Sequence, residues 1–224
     1  MTIGKLEGGQ SLLINGGTTA VGMVAVQLAK AIGARVTVTG SAKREEFLRE
    51  LGVDRVSDRV PRSCWRWNIN GECLQFIDYT KAPVYAQLKR DPPSPKFHLI
   101  FDAVGDANVP LYTHSAAYLQ PNGLYLTVGS TPSGFLNALS FARLAFEVNR
   151  PVWLGGTPRQ WRKLPVMTVQ KEKLEGLARY VNEGKVKPVV DSVFAFEDVL
   201  MAYGRIMSQR ALGKVVVKVD PEVE

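Results

Sequence analysis

Cysteine and histidine are scarce, at two of each in 224 residues. Two cysteines make no disulfide framework. Cys64 and Cys73 have no histidine at ligand spacing, which argues against a metal site of the zinc type. No apolar run reaches the ~18–20 uncharged residues that a spanning helix needs. The most apolar stretch, Phe135–Val148, carries Arg143 and Glu147 and reads as helix core rather than as a substrate lid. Neither an apolar signal nor an Arg-rich presequence opens the chain at MTIGKLEGGQ. The net charge of +7 is spread along the chain without a basic block, which argues against a nucleic-acid partner. No G-x-S-x-G and no G-x-x-x-x-G-K-[ST] occurs, against an α/β-hydrolase and a P-loop NTPase. His98, in an apolar strand, and His114, in a helix, read as satisfied structural histidines. The expectation is a soluble cytoplasmic protein, with a mitochondrial address left open, that engages neither nucleic acid nor membrane.

What is present is a hydrophobic content of 46%, enough for a folded core, arranged as an alternation of short β-branched runs with helical patterns. Ser11–Asn15 is a buried strand. Ala20–Ile32 is a helix with Val21, Val24, Ala25, Leu28 and Ile32 on one face, stopped by Gly33. Arg35–Thr39 is the second strand and Lys43–Leu51 the second helix. Further strands are expected at Phe97–Asp102, Gly123–Val128 and Val152–Leu154, with a helix over Val109–Leu119. Thr168–Gly184 is a helix with Leu174, Leu177, Ala178 and Val181 on one face. A strand at Val189–Phe194, a helix at Glu197–Ser208 and a strand at Gly213–Val219 complete the chain. This rhythm predicts an α/β fold, a doubly wound parallel sheet of the Rossmann type with helices on both faces.

The segment 56–75 breaks the rhythm. It has no clear period, holds both cysteines and two of the four tryptophans, and falls where connections usually take ~2–6 residues. Deleting it joins a glycine stop to a third strand, Phe76-Ile77-Asp78-Tyr79. Val-Ser can be encoded by a splice-donor sequence and Leu-Gln can end in a splice-acceptor sequence. The insertion therefore reads as a retained intron or, alternatively, as a lineage-specific loop.

The sharpest motif is Asn15-Gly16-Gly17-Thr18-Thr19-Ala20-Val21-Gly22, between the buried strand and the apolar helix. Small residues let the backbone turn tightly and approach a pyrophosphate, while the helix N-terminus offers free N–H groups. Gly22, one turn in, is expected to permit close packing on the strand. GxGxxG is not strictly met, because Thr19 and Ala20 stand where glycine is usual. An NAD site usually places an acid at the end of the second strand. Val36–Ala42 holds none and is followed by Lys43 and Arg44, with Ser41 as a hydroxyl donor, which suits the 2′-phosphate of NADP. Solvated first-turn residues are the alternative for the two cations.

At this point the chain resembles the cofactor domain of the medium-chain dehydrogenase/reductases, in their zinc-free quinone oxidoreductase and enoyl-reductase branch. That branch often reads NGASGGVG followed by AVQ-x-AK. Further matches are Phe76-Ile77-Asp78-Tyr79, Phe101-Asp102-Ala103-Val104-Gly105, Gly123 through Val128-Gly129, and Gly213-Lys214-Val215-Val216-Val217. The resemblance implies that Thr18, Thr19, Ala20 and Val21 line the pyrophosphate. It implies that Ser41, Lys43 and Arg44 hold the 2′-phosphate, with Tyr79 beside the adenosine half. Val104, Gly105, Gly129 and Ser130 would flank the ribose and nicotinamide.

The family also has a barrel-like catalytic domain before the first strand, and here about ten residues precede Ser11. The division expected is a Rossmann domain over 1–185 and a C-terminal segment over 186–224 that normally returns to that catalytic domain. Gly213–Val219 is accordingly expected as an unpaired or re-paired edge, an association hazard that makes a homodimer one assembly to test for. No proton donor can be named. The function implied is NADPH-dependent reduction of a small-molecule quinone or enone by hydride transfer. The alternatives are an NADPH-binding fragment without turnover and a Rossmann protein for another nucleotide or S-adenosylmethionine.

Overall fold

Ser11–Asn15 (β1) is buried along its whole length, and the rest of the sheet is built outward from it. In the computed structural model, residues 6–44, 47–48, 75–105, 109–128, 142–143, 145–164, 171–208 and 211–220 are described. On one side of β1 lie β2 (Arg35–Gly40) and β3 (Gln75–Asp78). On the other lie β4 (Phe97–Asp102), β5 (Leu119–Thr127) and β6 (Gln160–Lys163). The order is β3-β2-β1-β4-β5-β6 and every pairing is parallel. The connections reverse direction between β1 and β4, the switch point at which open α/β sheets leave a crevice.

The period-two alternation of strand side chains sorts the apolar runs into two cores. Leu12 and Ile14 face α1 (Ala20–Ala31), against Ala25, Val26 and Ala29, with Val36, Val38, Leu99 and Phe101 beside them. Leu13 and Ile100 face the other way. There they meet Val84 and Leu88 of α2 (Val84–Arg90) and Leu111 and Tyr112 of α3 (Val109–Thr113). Leu12, Leu13 and Ile14 are fully buried, each worth about 1.5–3 kcal/mol of transfer free energy. The doubly wound sheet with helices on both faces is therefore present. Ile32 caps α1 and Gly33 takes φ +76°, the stop that its lack of a Cβ allows.

Beyond the main sheet come α4 (Lys171–Asn182), β7 (Val190–Ala195), α5 (Val199–Met207) and β8 (Lys214–Lys218). β7 and β8 pair in parallel as a separate two-stranded sheet. The Gln27 side chain ties this part to α1. Its Nε2 donates to the Lys187 carbonyl at 3.1 Å, and its Oε1 accepts the Lys187 N–H at 2.6 Å.

Several expected elements are corrected. Val152–Leu154 is a 3-10 turn rather than a strand, closed by Gly155 at φ +83° and bonded from Leu154 N–H to Pro151 O. The sixth strand is Gln160–Lys163, polar because it is an edge; Trp161 is its inward anchor. The helix expected over Val109–Leu119 ends at Thr113, and a 3-10 turn over Ser115–Ala117 leads into β5, which starts at Leu119 rather than Gly123. A 3-10 turn at Phe196–Asp198 opens the last helix, so α5 begins at Val199. Of the two states expected for the last strand, unpaired or re-paired, β8 takes the second, with β7 supplying its ladder.

In the described part of Phe135–Val148, expected as helix core, the helical turns leave Phe146 65% exposed while Val148 packs against the second core. Of the second helix, the described part is a 3-10 turn at Ala42–Arg44 followed by Phe47 and the buried Leu48. The 56–75 insertion lies outside the described residues up to Gln75, which begins β3.

Candidate functional site

The candidate residues gather at one rim, the carboxyl ends of the strands. Thr18, Thr19, Ala20 and Val21 follow β1; Ser41, Lys43 and Arg44 follow β2; Tyr79 follows β3; Val104 and Gly105 follow β4. Gly129 and Ser130 lie outside the described residues.

The turn after β1 depends on missing side chains. Gly16 takes φ +84°, a region that costs other residues strain. A Cβ on Gly17 would stand 1.8 Å from Val38 Cγ1, and the Gly17 N–H donates to the Thr39 carbonyl at 3.0 Å, so the turn lies flat on β2. Gly22 serves differently from expectation. A Cβ there would stand 2.1 Å from the Gly16 carbonyl oxygen, so the helix packs on the turn rather than on the strand.

Thr19 caps α1. Its hydroxyl accepts the Gly22 N–H at 3.0 Å and donates to the Gly16 carbonyl at 2.9 Å. The N–H groups of Thr18, Ala20 and Val21 have no partner among the described residues. They are the donors that a helix N-terminus holds out to an anion.

At the far end of the rim, the turn carrying Lys43 is held by the Arg44 N–H donating to the Ser41 carbonyl at 2.8 Å. Lys43 is exposed, while Arg44 is half-buried and engaged elsewhere. The Tyr79 N–H donates to the Gly40 carbonyl at 3.2 Å and its side chain is 53% exposed. A scan for acids after β2 misses Asp78, which pairs in register with Gly40 across β2 and β3. Its carboxylate is turned into a local loop, accepting the Thr80 hydroxyl and N–H at 2.6 and 2.9 Å. Those two bonds, with Lys81 nearby, hold it below the usual carboxylate range against the opposing effect of burial.

Beneath the rim runs a buried polar chain that no motif reveals. The Gly16 N–H donates to Thr39 Oγ1 at 2.9 Å, Thr39 donates to Asn15 Oδ1 at 2.8 Å, and Asn15 Nδ2 donates to Asp102 Oδ1 at 2.9 Å. Asp102 Oδ2 accepts the Tyr125 hydroxyl at 2.9 Å, while its Oδ1 also takes the Val104 and Gly105 N–H groups at 3.2 and 3.3 Å. Burial first, then the Asp102 charge and hydrogen bond, push the Tyr125 hydroxyl well above its ordinary range, so it stays a donor. The sequence signal for this floor is two apolar strands, SLLIN and FHLIFD, that each end on a polar residue. The sheet register sets those residues, Asn15 and Asp102, side by side.

His98 is satisfied structurally. Its Nδ1 accepts the Ser11 N–H at 3.1 Å, and burial, then Arg35, lower its pKa. His114 lies just past α3, stacked on Tyr85. Among the described residues no three of His, Cys, Asp and Glu form a ligand set for a metal. Cys64 and Cys73 lie outside those residues.

Residues 72–217 match the family model described as zinc-binding dehydrogenase. The chain is 33% identical to the trans-enoyl reductase poxH of Penicillium oxalicum, over 97% of this chain and 52% of that protein. It is 32% identical to the trans-enoyl reductase pgmF of Aspergillus terreus, over 96% of this chain and 53% of the relative. It also resembles the solved quinone oxidoreductase of Coxiella burnetii, with a TM-score of 0.67 at 22% identity, over 96% of this chain and 55% of that one. The chain thus spans about half the length of the curated relatives it matches. With a 3-2-1-4-5-6 parallel sheet, a glycine turn at its switch point and this family match, the chain belongs to the zinc-binding dehydrogenase family of the medium-chain dehydrogenase/reductases.

Proposed function

We propose that this chain is the cofactor-binding half of an NADPH-dependent reductase acting on a quinone or an α,β-unsaturated carbonyl. The observation that carries the reading is the turn at Gly16 and Gly17. A side chain at Gly16 would run into Val104 and one at Gly17 into Val38, so the turn can take this close course only with glycines. Among the described residues the N–H groups of Thr18, Ala20 and Val21 beside it have no partner. A dinucleotide fits that donor set, because a diphosphate needs backbone donors at close approach and the dipole of α1 favours its charge.

The N–H groups of Thr18, Ala20 and Val21 bind the diphosphate, while Thr19, whose N–H and hydroxyl both bond to the Gly16 carbonyl, lines the turn as the cap of α1. Ser41 and Lys43, with Arg44 adjoining, receive the 2′-phosphate, where two cations and a hydroxyl favour NADP over NAD. Tyr79 lies along the adenosine, and Val104 and Gly105, with Gly129 and Ser130, border the nicotinamide ribose. The bound nicotinamide supplies the hydride chemistry, and the protein orients it and excludes water. The trans-enoyl reductases among the relatives favour the unsaturated carbonyl as substrate class.

The C-terminal segment 186–224 fits a role in contacting the remainder of a longer protein. Leu200, Met201, Tyr203, Ile206 and Met207 of α5 are all exposed, an apolar face larger than scattered surface residues explain.

Titration of the chain with NADPH, NADH and S-adenosylmethionine, followed by nicotinamide or protein fluorescence, tests the reading. Binding of NADPH in preference to the other two is expected. Equal affinity for NADPH and NADH would remove the 2′-phosphate assignment. NADPH binding without oxidation by any quinone or enone would favour a binding fragment over an enzyme.

A further inference from the structure

We propose that Asp102 is a positioning residue that ties the diphosphate turn to the nicotinamide-side turn, so that the two halves of the dinucleotide are bound as one unit. This rests on the cofactor reading above and adds a residue to it.

The donor directions in the floor are forced. The Asp102 carboxylate only accepts, so Asn15 must present Nδ2 to it and turn Oδ1 toward Thr39. Thr39 must then donate to Asn15, which leaves a lone pair on Oγ1 for the Gly16 N–H. The same Asp102 oxygen that fixes Asn15 also takes the Val104 and Gly105 N–H groups. Three backbone N–H groups, on two turns from different strands, are thereby set by one carboxylate. The turns also touch: Val104 Cγ2 lies 2.6 Å from where a Cβ on Gly16 would stand.

Stability alone does not account for an acid here. Asp102, Asn15, Thr39 and Tyr125 are all buried, and among the described residues no cation stands against Asp102. A buried charge without a counter-ion is a costly way to join strands that apolar side chains would join more cheaply. What the charge does achieve is strong, directional acceptance from both ligand-facing turns. Gly105 at φ +72° follows directly, so the chain leaves β4 in a shape that those bonds hold. Without Asp102 the two turns would move independently, and a ligand spanning them would lose more than a ligand touching only the far end.

The test compares equilibrium binding of NADPH, reduced nicotinamide mononucleotide and 2′-AMP to the full chain, as wild type, Asp102→Ala and Asp102→Asn. Asp102→Ala is expected to weaken NADPH by about tenfold or more, from the loss of shared acceptors, and to weaken the mononucleotide likewise. Binding of 2′-AMP, which reaches only the Ser41 and Lys43 end, should change less than about twofold because no shared acceptor is lost there. Asp102→Asn should recover most of the NADPH affinity, because its amide oxygen can still accept from Asn15 and Val104.

An NADPH affinity unchanged in Asp102→Ala overturns the proposal. So does an equal loss of NADPH and 2′-AMP, the signature of a merely loosened fold. Failure of Asp102→Asn to recover affinity overturns it too. If Asp102→Ala does not fold, Tyr125→Phe keeps the ring in the core and removes only the donor to Oδ2. It should show the same split at about threefold, and its absence is equally fatal. A wild-type chain that does not bind NADPH would instead overturn the cofactor reading itself.

Discussion

A methyl group of Val104 closes over Gly16, with Cγ2 standing 2.6 Å from the point that a Cβ on Gly16 would occupy. Turns from β1 and β4 meet there only because residue 16 has no side chain and takes φ +84°. Gly16→Ala should therefore cost stability through the backbone, about 1–2 kcal/mol, and also push Val104 away from the crevice. NADPH affinity is expected to fall by about tenfold, a change of ~1.4 kcal/mol. Gly33→Ala is the matched control. Its φ is +76° and its Cβ would meet nothing within 4 Å, so it should lose similar stability and keep NADPH binding. Chemical denaturation and cofactor titration of both variants separate the two effects. Equal binding by Gly16→Ala and wild type would mean that the crevice is not where the cofactor lies.

Lys43 and Arg44 follow β2 at the rim, as the last two residues of the 3-10 turn Ala42–Arg44. Replacing both by Ala should weaken NADPH by about tenfold or more and NADH by less than about twofold, since only NADPH brings the 2′-phosphate that charge-assisted bonds would hold. The ratio of the two dissociation constants is the measurement. An unchanged ratio would mean that neither side chain holds the 2′-phosphate.

The C-terminal sheet has a pH dependence of its own. Asp191 accepts Arg205 Nε and Nη2, each at 2.7 Å, and the Leu212 N–H at 2.7 Å. The guanidinium hydrogen bonds first, and the Leu212 N–H second, hold the carboxyl well below its ordinary value of 3.8. A depressed folded-state pKa contributes stability that is fully present above the unfolded value and is lost as pH falls through the folded one. Amide protection over β7 and β8, taken relative to the intrinsic exchange rate at each pH, should therefore fall below about pH 4, the ordinary carboxylate range. Asp191→Asn should remove that dependence and loosen the same strands at neutral pH. Protection of these amides that does not change with pH in the wild type contradicts this account of the Asp191–Arg205 pair.

The parallel sheet was legible because its strands are buried on both faces. Runs such as SLLIN and FHLIFD show no polar alternation, and the glycines at 16, 17 and 33 punctuate them. The sixth strand was not legible, because an edge strand needs one apolar anchor, Trp161, and otherwise reads as loop; the apolar Val152–Leu154 nearby drew the assignment away. The rim residues could be placed from the order of strands and turns. The floor could not, since Thr39, Asn15, Asp102 and Tyr125 come from four separate strands and meet only through the sheet register. Asp78 was missed for the same reason: its place beside Gly40 is a property of pairing rather than of spacing.

The most direct measurement is a crystal of the chain soaked in NADPH. The account predicts a diphosphate over the N–H groups of Thr18, Ala20 and Val21, with the 2′-phosphate at Ser41 and Lys43 and the nicotinamide ribose beside Val104. A cofactor bound elsewhere, or a turn at Gly16–Gly17 that stays empty while NADPH binds in solution, would contradict it.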